Sequence, residues 1–353
     1  MSLPLFKDRS KQEKNSIKTS LAIASGKGGV GKSTVTAQLA YTLGWLGKRV
    51  GVLDADVYGP SMGKMLTQKI PPSQRGHSLF PAIGPYGIQW ISPAHFRGEE
   101  EAAAIRAPLA NRWISQCIEQ VIWGELDFLL IDFPPGTGDI QLTLSQKIPL
   151  SGALMVTTPQ EVAVVDVKKA LDFFLKLHIP VWGVVENMSY FRSSSGEPLF
   201  LFGQGGGRRL AEEKGMALLA EIPLSPELCQ AGERGEAILS EKKQIEAASL
   251  YLQLAEQLLQ RQHVTSPDVQ ISLVGTEGMV LHWPDGTRAT WNFTELQRLC
   301  PCARCRGNSS AQSSIACDVT ADKIERVGHY GIRVHFSAGC RAGIYGFAEL
   351  KER

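Results

Sequence analysis

The strongest chemical pattern in the chain is the glycine-rich stretch ASGKGGVGKSTV at residues 24–35. It fits the spacing G-x-x-x-x-G-K-[ST] from Gly26 to Ser33, between an apolar run and a helical pattern. In such a loop, backbone N–H groups wrap phosphate oxygens, Lys32 reaches the terminal phosphates and Ser33 supplies a ligand to Mg²⁺. We therefore predict a nucleotide phosphate site, the alternative being a plain glycine-rich turn between a strand and a helix. The residues predicted to contact the nucleotide here are Gly26, Lys27, Gly28, Gly29, Val30, Gly31, Lys32, Ser33 and Thr34.

Acidic residues at the ends of two further apolar runs supply carboxylates for phosphoryl transfer. The string VLDADVYGPS places Asp54 and Asp56 at the carboxyl end of a predicted strand, where an open α/β sheet builds its site. The string LLIDFPPGTGD ends another strand with Asp132 and places Gly136 where it can approach the γ-phosphate. We predict that Ser33, Asp54 and Asp132 bind Mg²⁺. Acidic residues at strand ends can also cap helices, and that alternative stays open for each of them.

A later strand ends in VVENMSYF, and its Asn187 is a candidate for contacting the adenine edge of a nucleotide. The asparagine amide offers both a donor and an acceptor, as the edge of adenine requires. The alternative is an asparagine that forms a turn.

Three cysteines, Cys300, Cys302 and Cys305, fall within six positions of the string LCPCARCRG. Three thiolates so close together repel one another unless a cation neutralises them, so the spacing predicts metal ligation. Thiolates suit tetrahedral Zn²⁺ and also an iron–sulfur cluster, so ligand type leaves both open. The isolated Cys117 and Cys229 are predicted to be small buried hydrophobic residues.

The elements that must position these residues follow from the periodicity of the chain. From residue 19 to 262, apolar β-branched runs alternate with longer amphipathic stretches, which is typical of an α/β fold with a mostly parallel sheet. The predicted strands are almost wholly apolar, so helices should cover both faces of the sheet. From residue 269, short alternating strands around the turn WPDGT indicate a smaller α+β domain. The predicted division is a flexible segment at 1–18, the α/β domain at 19–262, a linker at 263–268 and the small domain at 269–353.

Composition excludes several functional classes. The 353 residues include 37 Lys and Arg against 35 Asp and Glu, and this near balance gives no electrostatic case for a nucleic acid or a membrane surface. The apolar runs are strand-sized, well short of the roughly 20 residues of a membrane span. The first nineteen residues lack the apolar centre of a secretory signal, and seven cysteines without a regular framework suit a reducing compartment. A cytoplasmic location is expected.

Six segments together resemble the Mrp/ApbC family of P-loop ATPases, which act as scaffolds or carriers of iron–sulfur clusters. They are SGKGGVGKST, LDADVYGPS, IDFPPGTGDIQLTLSQ, TTPQEVAVVDVKKA, GVVENMSYF and FGQGGG. An ATPase domain followed by a small C-terminal domain is similar to the plastid high-chlorophyll-fluorescence scaffold type. The resemblance implies a P-loop NTPase fold, hydrolysis of ATP with Mg²⁺, a homodimer, and transfer of clusters to apo-protein clients together with assembly factors.

The same resemblance assigns roles to particular residues. Lys27 matches the second lysine of the deviant Walker A class, which reaches the nucleotide of the partner subunit, and the alternative is a solvated loop charge. Asp56 matches the residue that orients the attacking water. Together with Lys32, these two are the predicted catalytic residues.

The chain departs from the family pattern at one point. Many members carry a C-x-x-C pair after ENMSYF, and two such pairs would hold a cluster between subunits, whereas here the segment reads FRSSSGEPLFLFG. Ser193, Ser194 and Ser195 are poor ligands for iron because a neutral hydroxyl lacks the charge and polarisability of a thiolate. The usual bridging site is therefore predicted to be missing.

The C-terminal segment resembles the small domain at the N-terminus of γ-butyrobetaine hydroxylase, through VLHWPDGT, LCPCARCRG and GIRVHFSAGCRAGIYGFAEL. In that domain three cysteines and a downstream histidine bind zinc, and Cys340 holds the place of the histidine here. The site would hold structural zinc or another structural metal, or an iron–sulfur cluster of the [4Fe–4S] type, and a site without metal is the remaining alternative. Cys317 is an alternative fourth ligand, and His335 is predicted to be a sheet residue. The implied ligands are Cys300, Cys302, Cys305 and Cys340.

Two functions stay open at this stage. One is an ATP-hydrolysing scaffold or carrier that delivers iron–sulfur clusters to apo-proteins through a nucleotide-dependent dimer. The other is a regulatory ATPase switch whose zinc only stabilises the small domain and which carries no cluster. Min-type ATPases, the nearest model for the switch, commonly end in a basic amphipathic membrane helix, and the ending YGFAELKER does not fit that version.

Overall fold

The main element of the structure is a mostly parallel β-sheet. The computed structural model describes residues 15–96, 107–177, 179–239, 245–265, 269–301, 305, 319–327, 331–340 and 343–351. The strands that precede residue 245 are β1 (Ser16–Ser25), β2 (Val50–Asp54), β3 (Ser73–Arg75), β4 (Ser78–Phe80), β5 (Ala82–Ile83), β6 (Gln89–Ile91), β7 (Glu125–Asp132), β8 (Gly152–Thr157), β9 (Val181–Arg192), β10 (Pro198–Leu199) and β11 (Leu218–Leu224).

Nine of these strands form one sheet, in the order β10-β9-β8-β1-β7-β2-β6-β5 with β11 paired to β9. The outer strands β5 and β10 run antiparallel to their neighbours, and the other pairings are parallel. Every residue of β2 and β8 is buried, which explains the apolar runs in the sequence. Because β1, β2 and β7 are parallel, their carboxyl ends meet at one edge of the sheet.

Helices pack on both faces of this sheet and enclose two apolar cores. They are α1 (Lys32–Trp45), α2 (Met62–Met65), α3 (Ala107–Gln120), α4 (Asp139–Lys147), α5 (Glu161–Lys176), α6 (Gly206–Glu213), α7 (Pro226–Arg234) and α8 (Glu246–Thr265). One core includes Leu39 of α1, Leu228 of α7 and Leu254 of α8. The other includes residues of α3, α4, α5 and α6, among them Ile114 and Leu171. This arrangement confirms the predicted fold class. Among the described helices, none has the length and apolar character to cross a membrane.

Two element bounds differ from the predicted ones. β1 begins at Ser16, inside the segment predicted to be flexible, because Ser16 and Ile17 already pair with the start of β7. α8 continues to Thr265, inside the predicted linker at 263–268. The division into two domains stays a prediction.

A group of short elements follows α8. They are β12 (Gln270–Val274), β13 (Gly278–His282), β14 (Arg288–Asn292), α9 (Phe293–Arg298), β15 (Ala321–Val327), β16 (Gly331–Phe336), β17 (Ile344–Gly346) and α10 (Phe347–Lys351). The strands form two antiparallel sheets, β12-β13-β14 and β15-β16-β17, and share a third apolar core that includes Trp291 and Phe336. The predicted turn is present, since the N–H of Trp283 donates to the carbonyl of Thr287 at 2.9 Å.

Candidate functional site

The predicted phosphate loop lies between the end of β1 and the start of α1, and its glycines shape it. Gly29 and Gly31 adopt φ angles of 81° and 79°, in the left-handed region that glycine enters without strain. Gly26 lies against the backbone of α5, where a Cβ atom would come within 2.1 Å of the carbonyl carbon of Asp166. At Gly28, in contrast, no atom of the described residues lies within 4 Å of the Cβ position, its two neighbours in the chain aside. The loop therefore needs glycine for its φ angles and for close packing.

We predict that Gly26→Ala destabilises the protein and weakens nucleotide binding, whereas Gly28→Ala leaves the free energy of unfolding nearly unchanged. The added methyl group at Gly26 must push the loop away from α5, because backbone atoms cannot rotate aside, and such overpacking costs about 1–3 kcal/mol. Urea unfolding of both variants, with and without Mg²⁺ and ADP, measures the difference. Equal unfolding midpoints for the two variants would contradict this packing of the loop.

Lys32 lies in the first turn of α1 and points into a buried cluster of acceptors. Its Nζ is 2.8 Å from Asp132 Oδ2 and 3.9 Å from Asp56 Oδ2, and its side chain is 6% exposed. Ser33 Oγ donates to Asp132 Oδ2 at 2.7 Å, and Thr36 Oγ1 donates to Asp132 Oδ1 at 2.8 Å. Both oxygens of Asp132 are thus held by α1, and Lys32 compensates the buried carboxylate charge.

Asp54 and Asp132 face each other across β2 and β7, and both side chains are fully buried. Burial, followed by repulsion from Asp132, raises the pKa of Asp54 above its ordinary value. Burial also raises the pKa of Asp56, and the positive charge of Lys32 partly opposes this increase. Lys32 already supplies one positive charge beside these two adjacent buried carboxylates, and their hard oxygen atoms also suit Mg²⁺. The donor set therefore fits the predicted magnesium site of Ser33, Asp54 and Asp132.

The other predicted nucleotide contacts surround the loop. Gly136 has a φ angle of 91°, and its N–H donates to the last carbonyl of β1 at 3.2 Å. Asn187 is buried, and its Nδ2 donates to the carbonyl of Val30 at 2.9 Å. This hydrogen bond holds the phosphate loop in place, while the adenine contact of Asn187 stays a prediction. Lys27 and Thr34 are half-buried on the loop and on α1.

Sequence reasoning missed two residues near this site. Thr36 follows Lys32 by one helical turn, so both side chains face the same acceptors, and this spacing is a signal that the sequence contains. Glu186 is fully buried in the middle of β9, beside the last residue of β8, and it accepts the N–H of Gly207 and the hydroxyl of Ser189 at 2.5 Å each. It fixes the FGQGGG loop at the start of α6, and no local sequence pattern marks this role.

In the C-terminal part, the structure brings three predicted metal ligands together. Cys300, Cys305 and Cys340 place their sulfur atoms within 4.8 Å of one another, and Cys300 is buried. Cys302 and the alternative ligand Cys317 lie outside the described residues. The juxtaposition of Cys340 with two residues that precede it by about forty positions supports its place in the ligand set.

Neighbouring side chains hold this sulfur group. The Tyr345 hydroxyl donates to the carbonyl of Leu296 at 2.7 Å. Burial, and next the adjacent Cys300, raises the pKa of Tyr345, so its phenol stays neutral. The Gln297 amide donates to the carbonyl of Ala338, which ties α9 to the loop that carries Cys340.

The spacing of the sulfur atoms bears on the kind of metal centre. A tetrahedral ion with metal–sulfur bonds of about 2.3 Å separates its sulfur ligands by about 3.8 Å. In a four-iron cluster each thiolate binds a different iron, so the ligating sulfurs lie farther apart. Mutual distances within 4.8 Å therefore fit a single ion better than a four-iron cluster.

The segment that replaces the usual cysteine pair forms the exposed turn between β9 and β10. Ser193 Oγ and Ser195 Oγ lie 2.8 Å apart, and Ser193 Oγ also accepts the N–H of Glu197 at 3.2 Å. The hydroxyls are thus used by the turn itself, which agrees with the prediction that this segment lacks the soft ligands of a cluster.

Three other residues singled out in the sequence have local roles. Cys117 is buried in a core, as predicted, and burial raises the pKa of its thiol. Cys229 is exposed, so the prediction of a buried residue is wrong there, because α7 turns its neighbour Leu228 toward the core instead. His335 lies in β16 with its Nε2 3.0 Å from Glu325 Oε2, which confirms a locally satisfied sheet residue.

Two family models match the chain. The ParA model, described as NUBPL iron-transfer P-loop NTPase, matches residues 16–259. A model described as gamma-butyrobetaine hydroxylase-like, N-terminal, matches residues 273–351 and so contains the sulfur group.

Curated relatives agree with the first of these matches. An iron-sulfur cluster carrier protein of Pseudomonas fragi is 43% identical over 242 residues, covering 68% of this chain and 84% of the relative. A protein of the same description from Methanocaldococcus jannaschii is 44% identical over 229 residues, covering 64% of this chain and 79% of the relative.

Solved structures agree as well. A nucleotide-binding protein of Archaeoglobus fulgidus in complex with ADP has a TM-score of 0.54 and 37% identity, covering 65% of this chain and 90% of that one. The septum site-determining protein MinD of Pyrococcus horikoshii, complexed with Mg-ADP, shares the fold at a TM-score of 0.51 and 20% identity, covering 71% and 99%. The chain therefore belongs to the NUBPL iron-transfer family of P-loop NTPases.

Proposed function

We propose that this protein is an ATP-hydrolysing scaffold or carrier of iron–sulfur clusters, which acts as a nucleotide-dependent dimer and delivers clusters to apo-proteins. The observation that carries the ATPase activity is the buried group of Lys32, Ser33 and Asp132 beside the phosphate loop. Membership of an iron-transfer family, and relatives described as iron-sulfur cluster carrier proteins, support the transfer activity.

The residues of this chain account for the steps of hydrolysis. When ATP binds, Lys32 exchanges Asp132 for oxygens of the terminal phosphates, since both are strong acceptors for one ammonium group. Ser33, Asp54 and Asp132 would hold Mg²⁺, which neutralises charge on the β- and γ-phosphates when bound. Asp56 orients a water molecule whose oxygen attacks the γ-phosphorus, while the bond to the bridging oxygen breaks and ADP leaves.

In the proposed dimer, Lys27 of each protomer reaches the nucleotide bound by the partner subunit. Hydrolysis then requires two aligned protomers, and loss of the γ-phosphate removes the contacts that keep the interface closed. Turnover is slow because catalysis depends on positioning by both subunits. The opening of the interface gives apo-protein clients and assembly factors access to the cluster.

A second candidate function is favoured by the ligand geometry. Cys300, Cys305 and Cys340 have the spacing of ligands to a single ion, and Ser193 and Ser195 present hydroxyls where family members have thiolates. Both observations fit a regulatory ATPase switch: the cysteines would bind a structural zinc ion, and the serine segment would bind no cluster. The carrier function instead requires that the sulfur atoms of the C-terminal cysteines move farther apart to bind a cluster.

Anaerobic reconstitution of the full chain with iron and sulfide decides between the two. A carrier takes up iron and acid-labile sulfide, absorbs in the visible range, and activates an apo-ferredoxin faster with Mg²⁺ and ATP than without nucleotide. Cys340→Ser should lower this loading, whereas Cys229→Ser, which changes an exposed cysteine outside the sulfur group, should not. One zinc ion per chain, with neither iron nor sulfide after reconstitution, would overturn the carrier proposal.

A further inference from the structure

Ser92 approaches the nucleotide site from the end of β6 and is fully buried. Its Oγ donates to Asp54 Oδ2 at 2.7 Å. The same carboxylate oxygen accepts the backbone N–H of Met62, the first residue of α2, at 3.3 Å. One oxygen of a predicted magnesium ligand is thus held from two elements outside the phosphate loop.

The backbone fixes the direction of the serine hydroxyl. The N–H of Ala94 donates to Ser92 Oγ at 3.2 Å, so the hydroxyl oxygen is an acceptor on that side. A hydroxyl has a single proton, and at 2.7 Å this proton lies toward Asp54. A hydrogen bond to a carboxylate is stronger than one between neutral groups, so the contact restrains the carboxylate effectively.

His95 and Trp90 support this serine. The N–H of Ser92 donates to His95 Nδ1 at 3.3 Å, and the N–H of His95 donates to the carbonyl of Ser92 at 3.1 Å. The imidazole lies on the buried indole of Trp90, with ring centroids 4.1 Å apart. Burial lowers the pKa of His95 to about 4, so near pH 7 the ring is neutral and its Nδ1 can accept. The backbone of Ser92 is therefore fixed by His95, whose ring packs against Trp90, and this fixes the position of the serine hydroxyl.

We propose that Ser92 is a positioning residue for the magnesium–nucleotide reaction, because its hydroxyl orients the Asp54 carboxylate that faces Asp132. The proposal rests on the ATPase part of the proposed function. Without the hydroxyl, Asp54 Oδ2 keeps only the longer contact from Met62 among those described, and the carboxylate can turn about its terminal torsion. Since Ser92 reaches the site through Asp54, the loss falls on magnesium binding and leaves metal-free nucleotide binding intact.

Ser92→Ala tests this assignment on the full chain. The Mg²⁺ concentration that gives half-maximal ATPase activity should rise about tenfold, the usual effect of losing a hydrogen bond to a charged group. Affinity for a fluorescent ADP analogue should fall in the presence of Mg²⁺ and stay unchanged with EDTA. Ser151→Ala is the matched control, because Ser151 is also buried and accepts one hydrogen bond, from the N–H of Ser20, at the opposite edge of the sheet.

Ser92→Cys is a second variant in case Ser92→Ala fails to fold. Its side chain has a similar shape but a weaker hydrogen-bond donor, so it should give an intermediate magnesium requirement. An unchanged magnesium requirement in a folded Ser92 variant would overturn the proposal. Equal losses of affinity for the ADP analogue with and without Mg²⁺ would also overturn it, because that result is expected if Ser92 only stabilises the fold. Failure of the proposed function looks different, since the wild-type chain itself would then lack magnesium-dependent ATPase activity.

Discussion

Lys32→Ala is expected to abolish ATP hydrolysis, with kcat falling by about 10²- to 10³-fold or more. The Lys32 ammonium lies 2.8 Å from Asp132 in a buried cluster and is the group that would neutralise charge as the γ-phosphate is transferred. A steady-state phosphate-release assay at saturating ATP and Mg²⁺ measures the loss. Lys69→Ala, which removes an exposed lysine, should keep wild-type activity.

The same substitution should also lower the free energy of unfolding. Removing one partner of a buried ion pair costs about 3–5 kcal/mol, because the buried Asp132 would be left without its cationic partner. Lys32→Arg separates the two effects, since it retains the positive charge but presents a planar guanidinium in place of a compact ammonium. We expect this variant to unfold near the wild-type midpoint and to hydrolyse ATP slowly. Activity near the wild-type level in Lys32→Ala would mean that the phosphate loop has been assigned wrongly.

The double substitution of Cys300 and Cys340 by serine is expected to have the second largest effect, this time on the C-terminal part. Both sulfurs belong to the described group, and Gly343 packs so closely on Cys300 that a Cβ atom there would lie 2.7 Å from its Sγ. In small metal domains the binding free energy is folding free energy, about 10 kcal/mol or more for a structural zinc. We expect the bound metal to be lost and residues after 269 to become sensitive to proteolysis, while ATPase activity persists.

Elemental analysis and limited proteolysis of the purified chain measure this outcome. Cys229→Ser provides the control, because it removes an exposed thiol of α7 without touching the sulfur group. Zinc lost from the double variant would identify a structural ion, whereas iron and sulfide lost together would identify a cluster at the same cysteines. A double variant that keeps its metal and its protease resistance would show that these cysteines bind no metal.

Some parts of the site could be predicted from the sequence because they depend on neighbours along the chain. The phosphate loop is one continuous stretch, and its glycine conformations follow from local sterics. The alternation of apolar strands and amphipathic helices likewise encodes the covered parallel sheet. Parallel strands bring their carboxyl ends to one edge, so the sequence alone predicts that Asp54 and Asp132 lie near each other.

Other parts depend on which strands pair and in what register, and local patterns do not contain that information. Ser92 meets Asp54 only because β6 lies beside β2, and Asn187 meets Val30 only because the middle of β9 passes beside the loop. The spacing of the three cysteines in LCPCARCRG suggests a metal, but folding of the intervening chain decides that Cys340 joins these cysteines and how far apart the sulfurs lie. The sequence by itself thus determined the chemistry of the nucleotide loop, since its geometry is local. Tertiary structure decided the partners of its carboxylates and the spacing of its thiols, because those distances are set by long-range packing.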